Sequence, residues 1–163
     1  MSGEKLVKGF LVSKTDVKGK ITYCNSAFIE ISGFNESELL GKPHSIVRHP
    51  DMPRSIFAYL WENITQGKEV NVYVKNRAKD GGFYWVFANV TPSFNVKGEI
   101  IGYYSVRREP RQEGIKTATE LYALIRESEK KGGVKEGLNT FKTYFENLKM
   151  PYEDYVMHLQ TGE

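Results

Sequence analysis

Residues 21–28, Ile21-Thr22-Tyr23-Cys24-Asn25-Ser26-Ala27-Phe28, decide how the first half of the chain is interpreted. The first four are mostly β-branched or aromatic, which predicts a strand. Asn25 or Ser26 suits the N-cap of a short helix, and Gly33 suits its C-terminal end. Residues 10–15 predict a partner strand upstream, because a polar, glycine-containing turn separates the two segments. The chain is therefore expected to begin with a β-hairpin followed by a helix.

Two further helices and three further strands follow this beginning. Asn35 suits the cap of a short helix over residues 36–40. Pro53 suits the first turn of a longer helix over residues 54–65, whose apolar residues recur at helical spacing. The later strands are predicted over residues 69–77, 83–91 and 99–107. The order β-β-α-α-α-β-β-β indicates an α+β fold in which helices cover one face of an antiparallel sheet.

The composition shifts after residue 110. Two amphipathic helices are predicted over residues 114–131 and 134–150, separated by Gly132-Gly133. The chain is accordingly divided into an N-terminal segment (1–9), a central domain (10–109) and a C-terminal helical extension (110–163). The apolar stripes of the extension suit packing on the sheet, pairing in a dimer or docking on a receptor, and the sequence leaves these three open.

The composition excludes several classes of function. A net charge of +3 over 163 residues, without a dense basic cluster, does not predict nucleic-acid binding. The single cysteine, Cys24, permits no disulfide framework and favours a reducing compartment. No signal peptide and no apolar run near the ~20 residues of a membrane helix is visible, so a cytoplasmic location without direct membrane insertion is expected. No catalytic triad, phosphate loop or metal cluster appears, so the chain is not expected to be an enzyme.

Residues 47–53, Val-Arg-His-Pro-Asp-Met-Pro, are the most distinctive run in the chain. The order of elements and the segment at 21–28 resemble the PAS domains, and this run resembles a signature of the Aer-type PAS domains of aerotaxis receptors. Those domains bind FAD and report redox state in energy taxis. The resemblance covers about residues 10–108. It implies a PAS fold with a five-stranded antiparallel sheet, helices on one face and FAD bound non-covalently.

The resemblance also implies a partner. In the Aer-type family a membrane anchor, a HAMP unit and a signalling coiled coil follow the PAS domain, and none is visible in these residues. We therefore expect a stand-alone PAS component that relays the flavin redox state to a membrane-bound chemoreceptor or another HAMP-containing signalling protein. It would be cytoplasmic, or peripheral at the inner membrane through that receptor. A homodimer is left open.

Three asparagines are candidates for the polar edge of a flavin. Asn amides both donate and accept, which matches the mixed edge of the ring. Asn76 and Asn89 lie on consecutive predicted strands and are expected to face the concave side of the sheet, with an exposed strand position as the alternative. Asn25 belongs to the PAS opening and either touches the cofactor or caps the following helix.

The distinctive run contributes Arg48, His49 and Asp51 by resemblance. Arg48 is the candidate for the pyrophosphate, because a guanidinium forms charge-assisted hydrogen bonds with phosphate oxygens. His49 is a candidate for a ribose or phosphate oxygen, or for holding the loop through Asp51. Asp51 is expected to orient Arg48 or to cap the helix that follows. The alternative for all three is a surface loop with local ion pairs.

Aromatic residues supply candidates for the walls of the flavin site. Phe57, Trp61 and Trp85 suit this role, although filling the core is the plainer interpretation. Tyr104 lies on the last strand, where many flavin-binding PAS domains place a glutamine, and would contact the ring if it faces inward. No cysteine occurs at residues 47–51, so the light-driven cysteine adduct of the photoreceptor relatives is not expected.

Two alternative functions remain at this level. A haem-binding gas-sensing PAS domain needs an axial histidine, for which His44, His49 and His158 are the candidates. A PAS domain that binds no cofactor and serves only protein interaction is the other. The favoured hypothesis is a redox switch in which reduction turns a flavin hydrogen-bond acceptor into a donor and a neighbouring amide or phenol reorients.

Overall fold

A five-stranded antiparallel sheet forms the centre of the molecule in the computed structural model, which describes residues 3–163. The strands are β1 (Leu11–Thr15), β2 (Ile21–Cys24), β3 (Val70–Arg77), β4 (Phe83–Phe94) and β5 (Ile100–Arg108). Their spatial order is β2-β1-β5-β4-β3. The predicted α+β fold with one antiparallel sheet is confirmed, and β4 continues three residues beyond its predicted end.

Three short helices and a 3-10 turn cover the inner face of the sheet. They are α1 (Ser26–Ser32), α2 (Glu36–Leu39), the 3-10 turn His44–Val47 and α3 (Arg54–Ile64). Asn25 caps α1 by accepting a hydrogen bond from the Phe28 amide, and Gly33 ends it at a φ of 75°. Asn35 and Glu38 form a capping box around α2. The caps predicted from the sequence therefore fix where these helices begin and end.

The C-terminal extension consists of α4 (Gln112–Leu148) and α5 (Tyr152–Thr161). Gly132 and Gly133 depart from helical geometry, so a kink divides α4 where the sequence predicted a break between two helices. The extension packs on the outer face of the sheet, where Tyr122 of α4 stacks on Trp85 of β4 with ring centroids 6.4 Å apart. Of the three arrangements that the sequence left open for the apolar stripes, the structure shows packing on the sheet.

The extension also completes the hydrogen bonds of β3, which is an edge strand of the sheet. The Tyr122 hydroxyl donates to the Tyr73 carbonyl at 2.6 Å, and the Tyr152 hydroxyl donates to the Asn71 carbonyl at 2.7 Å. The Asn71 amide donates to Glu153 at 3.4 Å. Side chains of the extension, and not another strand, therefore bond the edge of β3 at Asn71 and Tyr73, whereas His49 and Met52 bond it at Lys75.

A glutamate of α4 caps α3. Pro53 occupies the N-cap position and offers no side-chain acceptor. The Glu129 carboxylate instead accepts from the Arg54 amide at 3.3 Å and the Ser55 amide at 2.7 Å, and it also bonds the Ser55 hydroxyl. A Cβ atom at Gly137 would collide with the Ser55 hydroxyl, so glycine permits this close approach of α4 to α3.

The described part of the N-terminal segment lies along the beginning of β4. The Lys5 amide donates to the Phe83 carbonyl at 2.7 Å, and the Phe83 amide donates to the Gly3 carbonyl at 3.1 Å. Val7 is buried. This segment is thus part of the packed structure, and residues 1 and 2 lie outside the described part.

Candidate functional site

A cavity of about 260 Å³ lies between the inner face of the sheet and α3. Strand alternation determines its floor, because every second residue of a strand faces the same side. The residues of β3, β4 and β5 that line it are Val72, Val74, Asn76, Ala88, Val90, Tyr103, Ser105 and Arg107. Phe57, Leu60, Trp61 and Ile64 of α3 line the opposite side. The result is an apolar slot with polar groups at one end, a shape that suits a flat ring system.

The polar end of the slot is built around the buried guanidinium of Arg107, which is 3% exposed. Its Nη1 lies 2.9 Å from the Ser13 hydroxyl, 3.0 Å from the Ser105 hydroxyl and 3.0 Å from His44 Nε2. The guanidinium also lies over the Phe28 ring, 4.5 Å from its centroid. These contacts hold the guanidinium in one place at the wall of the cavity.

Arg107 has no carboxylate partner among residues 3–163. Its Nε and Nη2 atoms are buried and form no hydrogen bond with any described residue. None of the described residues that line the cavity is acidic. Burial lowers the pKa of Arg107 to about 10, which still leaves the guanidinium charged at neutral pH. The wall of the cavity therefore carries a positive charge without a counter-charge and with two unpaired donors.

His44 supports Arg107 as a neutral base. Burial, together with the neighbouring Arg107 charge, lowers the pKa of His44 to about 3. Since arginine only donates, His44 Nε2 must be the acceptor in its contact with Arg107. The His44 ring also stacks on Phe28 at 5.7 Å between centroids.

Arg48 is a second cation at the cavity. Its guanidinium lies 3.7 Å from the centroid of the Phe57 ring, and its buried Nε forms no hydrogen bond within residues 3–163. Burial lowers its pKa. An isolated bridge joins the backbone of Arg48 to Asn76 at the end of β3. Two residues that the sequence placed in the site by separate arguments are thus adjacent at the cavity.

Four of the ten residues predicted for the site line the cavity, namely Arg48, Phe57, Trp61 and Asn76. Asn25 does not line it, because its side chain is used in capping α1 and in accepting from the Val12 amide at 3.0 Å. Of the two roles considered for Asn25, the structure shows the cap.

His49 and Asp51 lie beside the cavity and do not line it. His49 Nδ1 accepts from the Asp51 amide at 3.0 Å, so His49 does hold the loop together. Asp51 forms ion pairs with Lys75 at 2.8 Å and Arg126 of α4 at 3.4 Å. Asp51 was expected to orient Arg48 or to cap α3, and both expectations are wrong. Asp51 pairs with Lys75 and Arg126 instead of Arg48, and Glu129 accepts from the first amides of α3.

The expectation that Asn89 faces the cavity is also wrong, as is the placement of Trp85 in its wall. The orientation of Tyr104 was left open, and the structure shows that it faces away from the cavity. All three lie on the outer face of the sheet. Asn89 donates to the Asn71 side chain at 3.0 Å, and Trp85 packs on α4. Tyr104 lies beside Lys14, whose amine is 5.6 Å from the ring centroid. The physical reason is strand alternation: Asn89 pairs with Asn71 and Asn76 with Tyr84, which puts Asn76 and Asn89 on opposite faces.

The residues at the polar end of the cavity were not predicted from the sequence. Arg107, Ser105 and Tyr103 alternate on β5 and face inward, whereas Tyr104 was the candidate on that strand. Ser13 on β1 was not considered, and His44 was considered only as a haem ligand. The available signal was Arg107 itself, a charged residue on a central strand at a position where alternation predicts an inward-facing side chain. A charged residue at a buried position requires an explanation.

The fold and the cavity define a class of protein, and a comparison with known families identifies it. A family model described as the PAS fold matches residues 21–107, and the chain belongs to this family. Its resemblance to the Aer-type domains is also confirmed. The chain is 38% identical over 138 residues to the aerotaxis receptor of Escherichia coli, a match that covers 85% of this chain and 27% of that one.

A second relative is the nitrogen fixation regulatory protein of Klebsiella pneumoniae, 32% identical over 98 residues, or 60% of this chain and 20% of that one. The chain thus spans about a quarter or less of these two relatives. Among solved structures, the light state of the blue-light photoreceptor Aureochrome1 LOV matches with a TM-score of 0.59 at 21% identity, over 72% of this chain and 91% of that one. This likeness shows the fold alone.

Two kinds of feature are absent from residues 3–163, a membrane-spanning helix and a metal-binding group of side chains. No helix within residues 3–163 is both long enough and apolar enough to span a membrane. No group of three or more His, Cys, Asp or Glu side chains in this range is placed to hold a metal ion.

Proposed function

We propose that this PAS domain is a non-enzymatic redox sensor that binds FAD non-covalently in the cavity and relays the flavin redox state to a chemoreceptor partner. The observation that carries the proposal is the apolar slot that ends in Asn76, Arg48 and Arg107. The orphaned donors of the two arginines fit the acceptor-rich edge and the phosphates of a flavin nucleotide. A bound flavin would supply reversible electron acceptance.

Different residues of the cavity would contact different parts of FAD. Phe57 and Trp61 of α3, opposite the valines of β3 and β4, form walls for the ring. Asn76, 3% exposed, offers an amide that donates and accepts. The cavity volume of about 260 Å³ is near the lower end of the ~300–1,000 Å³ range of ligand pockets, so the nucleotide part would extend past Arg48 toward solvent.

A chain of contacts connects the cavity to the extension and supports a route for the signal. A backbone bridge joins Arg48 to Asn76. Beside it, the His49 backbone amide donates to the Lys75 carbonyl at 3.3 Å. Asp51 then links this loop to Arg126 of α4. Reorientation of the Asn76 amide on a change of ring protonation would shift this loop, and α4 would move with it.

The proposed partner is a membrane-bound chemoreceptor or another HAMP-containing signalling protein, reached from the cytoplasm. The 38% identity to the aerotaxis receptor of E. coli, of which the chain covers 27%, supports a receptor-linked role. A haem alternative receives no support from His44, because its Nε2 is occupied by Ser13 and Arg107.

The test is the visible spectrum of the purified protein, with acid release and chromatography of any chromophore. A yellow protein that releases FAD is expected. The Asn76→Ala variant should bind FAD about tenfold more weakly, because a buried hydrogen bond of ~1–3 kcal/mol is lost. The Asn89→Ala variant, on the outer face, is the matched control and should bind normally. A Soret band would establish haem instead, and a colourless protein that cannot be reconstituted would leave a PAS interaction module.

A further inference from the structure

We propose that Arg107, with Ser13, Ser105 and His44 around it, forms an anion subsite at the polar end of the cavity, which favours a planar ligand that carries or acquires a negative charge. This inference rests on the proposed function where the ligand is a flavin. It goes further by stating the charge that the bound ligand must present and by naming the residue that selects it.

The first observation is that the protein satisfies only part of the hydrogen-bonding capacity of Arg107, which lines the cavity. Three protein acceptors lie 2.9–3.0 Å from Nη1 and share its two N–H donors. Nε and Nη2 are buried and have no acceptor among the described residues. Because a buried unpaired donor is costly, two adjacent donors on one planar group indicate an acceptor supplied from outside the chain.

The second observation is the absence of counter-charge within the described residues. The groups that hydrogen-bond to Arg107 or stack on it are two hydroxyls, a neutral imidazole and the Phe28 ring. The neighbouring Tyr84 phenol and Cys24 thiol both have raised pKa values, so neither supplies a negative charge at neutral pH. The other charged residues that line the cavity, Lys18 and Arg48, are also basic. A buried charge without a partner is strongly unfavourable, so the guanidinium has a large amount to gain from an anion in the cavity.

The third observation is that His44 and the serines hold the subsite in a form that favours anions. His44 Nε2 accepts from Arg107 and carries no proton, so this atom does not compete with Arg107 as a donor to an anion. Its ring is fixed by stacking on Phe28. The Arg107 guanidinium is therefore held in place at the cavity wall, and an anion in the cavity would not compete with a protein carboxylate for it.

For a flavin, this subsite has a specific consequence for electron affinity. When a reductant delivers two electrons and one proton to the neutral oxidised ring, one negative charge remains on the ring. Arg107 stabilises the reduced ring more than the oxidised one, which raises the midpoint potential of the bound flavin. A tenfold loss of this preference corresponds to about 30 mV for a two-electron couple.

The experiment is a dithionite titration of the flavin-loaded protein in the presence of a reference dye, comparing wild type with Arg107→Gln and Arg107→Lys. Arg107→Gln should lower the midpoint potential by about 30 mV or more, and Arg107→Lys, which keeps the charge but loses the planar fork, should fall between. Arg108→Gln is the matched control, because Arg108 is the exposed neighbour on the outer face, 5.3 Å from the Phe87 ring centroid. Equal potentials for wild type and a folded, flavin-loaded Arg107→Gln would overturn the proposal.

A second measurement separates this inference from the flavin assignment. Quenching of tryptophan fluorescence, to which Trp61 at the cavity contributes, reports the binding of orotate, a planar anion, and of uracil, its neutral counterpart. In apoprotein, orotate should bind at least tenfold more tightly than uracil, and this preference should disappear in Arg107→Gln. A wild type that takes no flavin but keeps the orotate preference would refute the proposed function and support the subsite. Equal binding of orotate and uracil would overturn the subsite.

Discussion

Nη1 of Arg107 lies 3.0 Å from Nε2 of His44, so a permanently charged donor occupies the site where a second proton would bind the imidazole. The contact requires His44 to be neutral. It also explains why the pKa of His44 is about 3, because burial and the adjacent positive charge both disfavour the imidazolium. The pair gives the cavity a single positive charge where two basic side chains meet.

This pair predicts a loss of stability in acid. The pKa of His44 is about 3 in the folded protein and 6.5 in the unfolded chain. The unfolded state therefore binds more protons between these values, and the stabilisation present above pH 6.5 is lost as the pH falls toward 3. The loss should reach up to about 1.4 kcal/mol per pH unit.

The His44→Gln variant isolates this effect, since the Gln amide oxygen still accepts from Arg107 but does not titrate. Urea unfolding at several pH values should show the advantage of wild type over His44→Gln shrinking below pH 6.5. Carboxyl groups titrate equally in both proteins and cancel. A difference that does not change with pH would refute the neutral assignment of His44.

Glu129 is predicted to stabilise α3 from a distance of about 75 residues along the chain. The Glu129→Ala variant should lose about 1 kcal/mol of unfolding free energy, because the first amides of α3 lose their only described side-chain acceptor. Hydrogen exchange should accelerate at the Arg54 and Ser55 amides. Glu127→Ala is the control, since Glu127 is 66% exposed and pairs only with Lys130. Equal effects of the two substitutions would contradict the capping role.

Gly137 is predicted to resist the substitution that normally improves a helix. Alanine gains up to ~1 kcal/mol over glycine in a helix interior. Here its Cβ would collide with the Ser55 hydroxyl, and such overpacking costs typically ~1–3 kcal/mol. Gly137→Ala should therefore lower the melting temperature, whereas Asn139→Ala, at an exposed position of the same helix, should leave it unchanged or raise it. Stabilisation by Gly137→Ala would show that α4 does not approach α3 this closely.

Glu153 is predicted to weaken the docking of α5 at neutral pH. Burial raises the pKa of Glu153 above 4.5, although hydrogen bonds from Asn71 and Tyr59 oppose the shift. A carboxyl with a raised folded pKa stabilises below its unfolded pKa and loses that contribution as the pH rises through the folded value.

The Glu153→Gln variant removes the buried charge. It should be more stable than wild type at pH 7.5, by on the order of 1 kcal/mol, and equal to it near pH 4. Asp154→Asn removes a neighbouring exposed charge at the same helix end and controls for the interaction with the helix dipole. If Glu153→Gln and Asp154→Asn behave alike at pH 7.5, burial of Glu153 does not oppose docking.

Local rules were sufficient to predict the order of the elements and most of their ends. The caps at Asn25 and Asn35, the stop at Gly33 and the break at Gly132-Gly133 all depend on a few neighbouring residues, and the structure contains each of them. Five strand ends differ. The strands β1, β3 and β5 each begin one residue later than predicted, at Leu11, Val70 and Ile100, β5 ends one residue later, at Arg108, and β4 runs to Phe94. Strand ends depend on pairing across the sheet, which a single segment does not encode.

The candidate site was predicted less completely, because it depends on which face each strand residue presents. Asn76 and Asn89 lie on neighbouring strands, and only the register between β3 and β4 separates their faces. The partners of Asp51 posed a different difficulty, since Lys75 and Arg126 lie 24 and 75 residues away along the chain. No spacing rule connects residues that are brought together only by the packing of the loop on β3 and of α4 on the loop.

The phenols that complete the edge of β3 also determine what happens if the extension lifts off the sheet. Release of Tyr122 and Tyr152 leaves two carbonyls, at Asn71 and Tyr73, on one side of an edge strand, at the spacing at which another strand would donate. Detaching the tail and creating a surface ready for β-strand addition are therefore one structural event. A change that loosens α4 and α5 would not only free two helices but also give the sheet a new capacity for self-association.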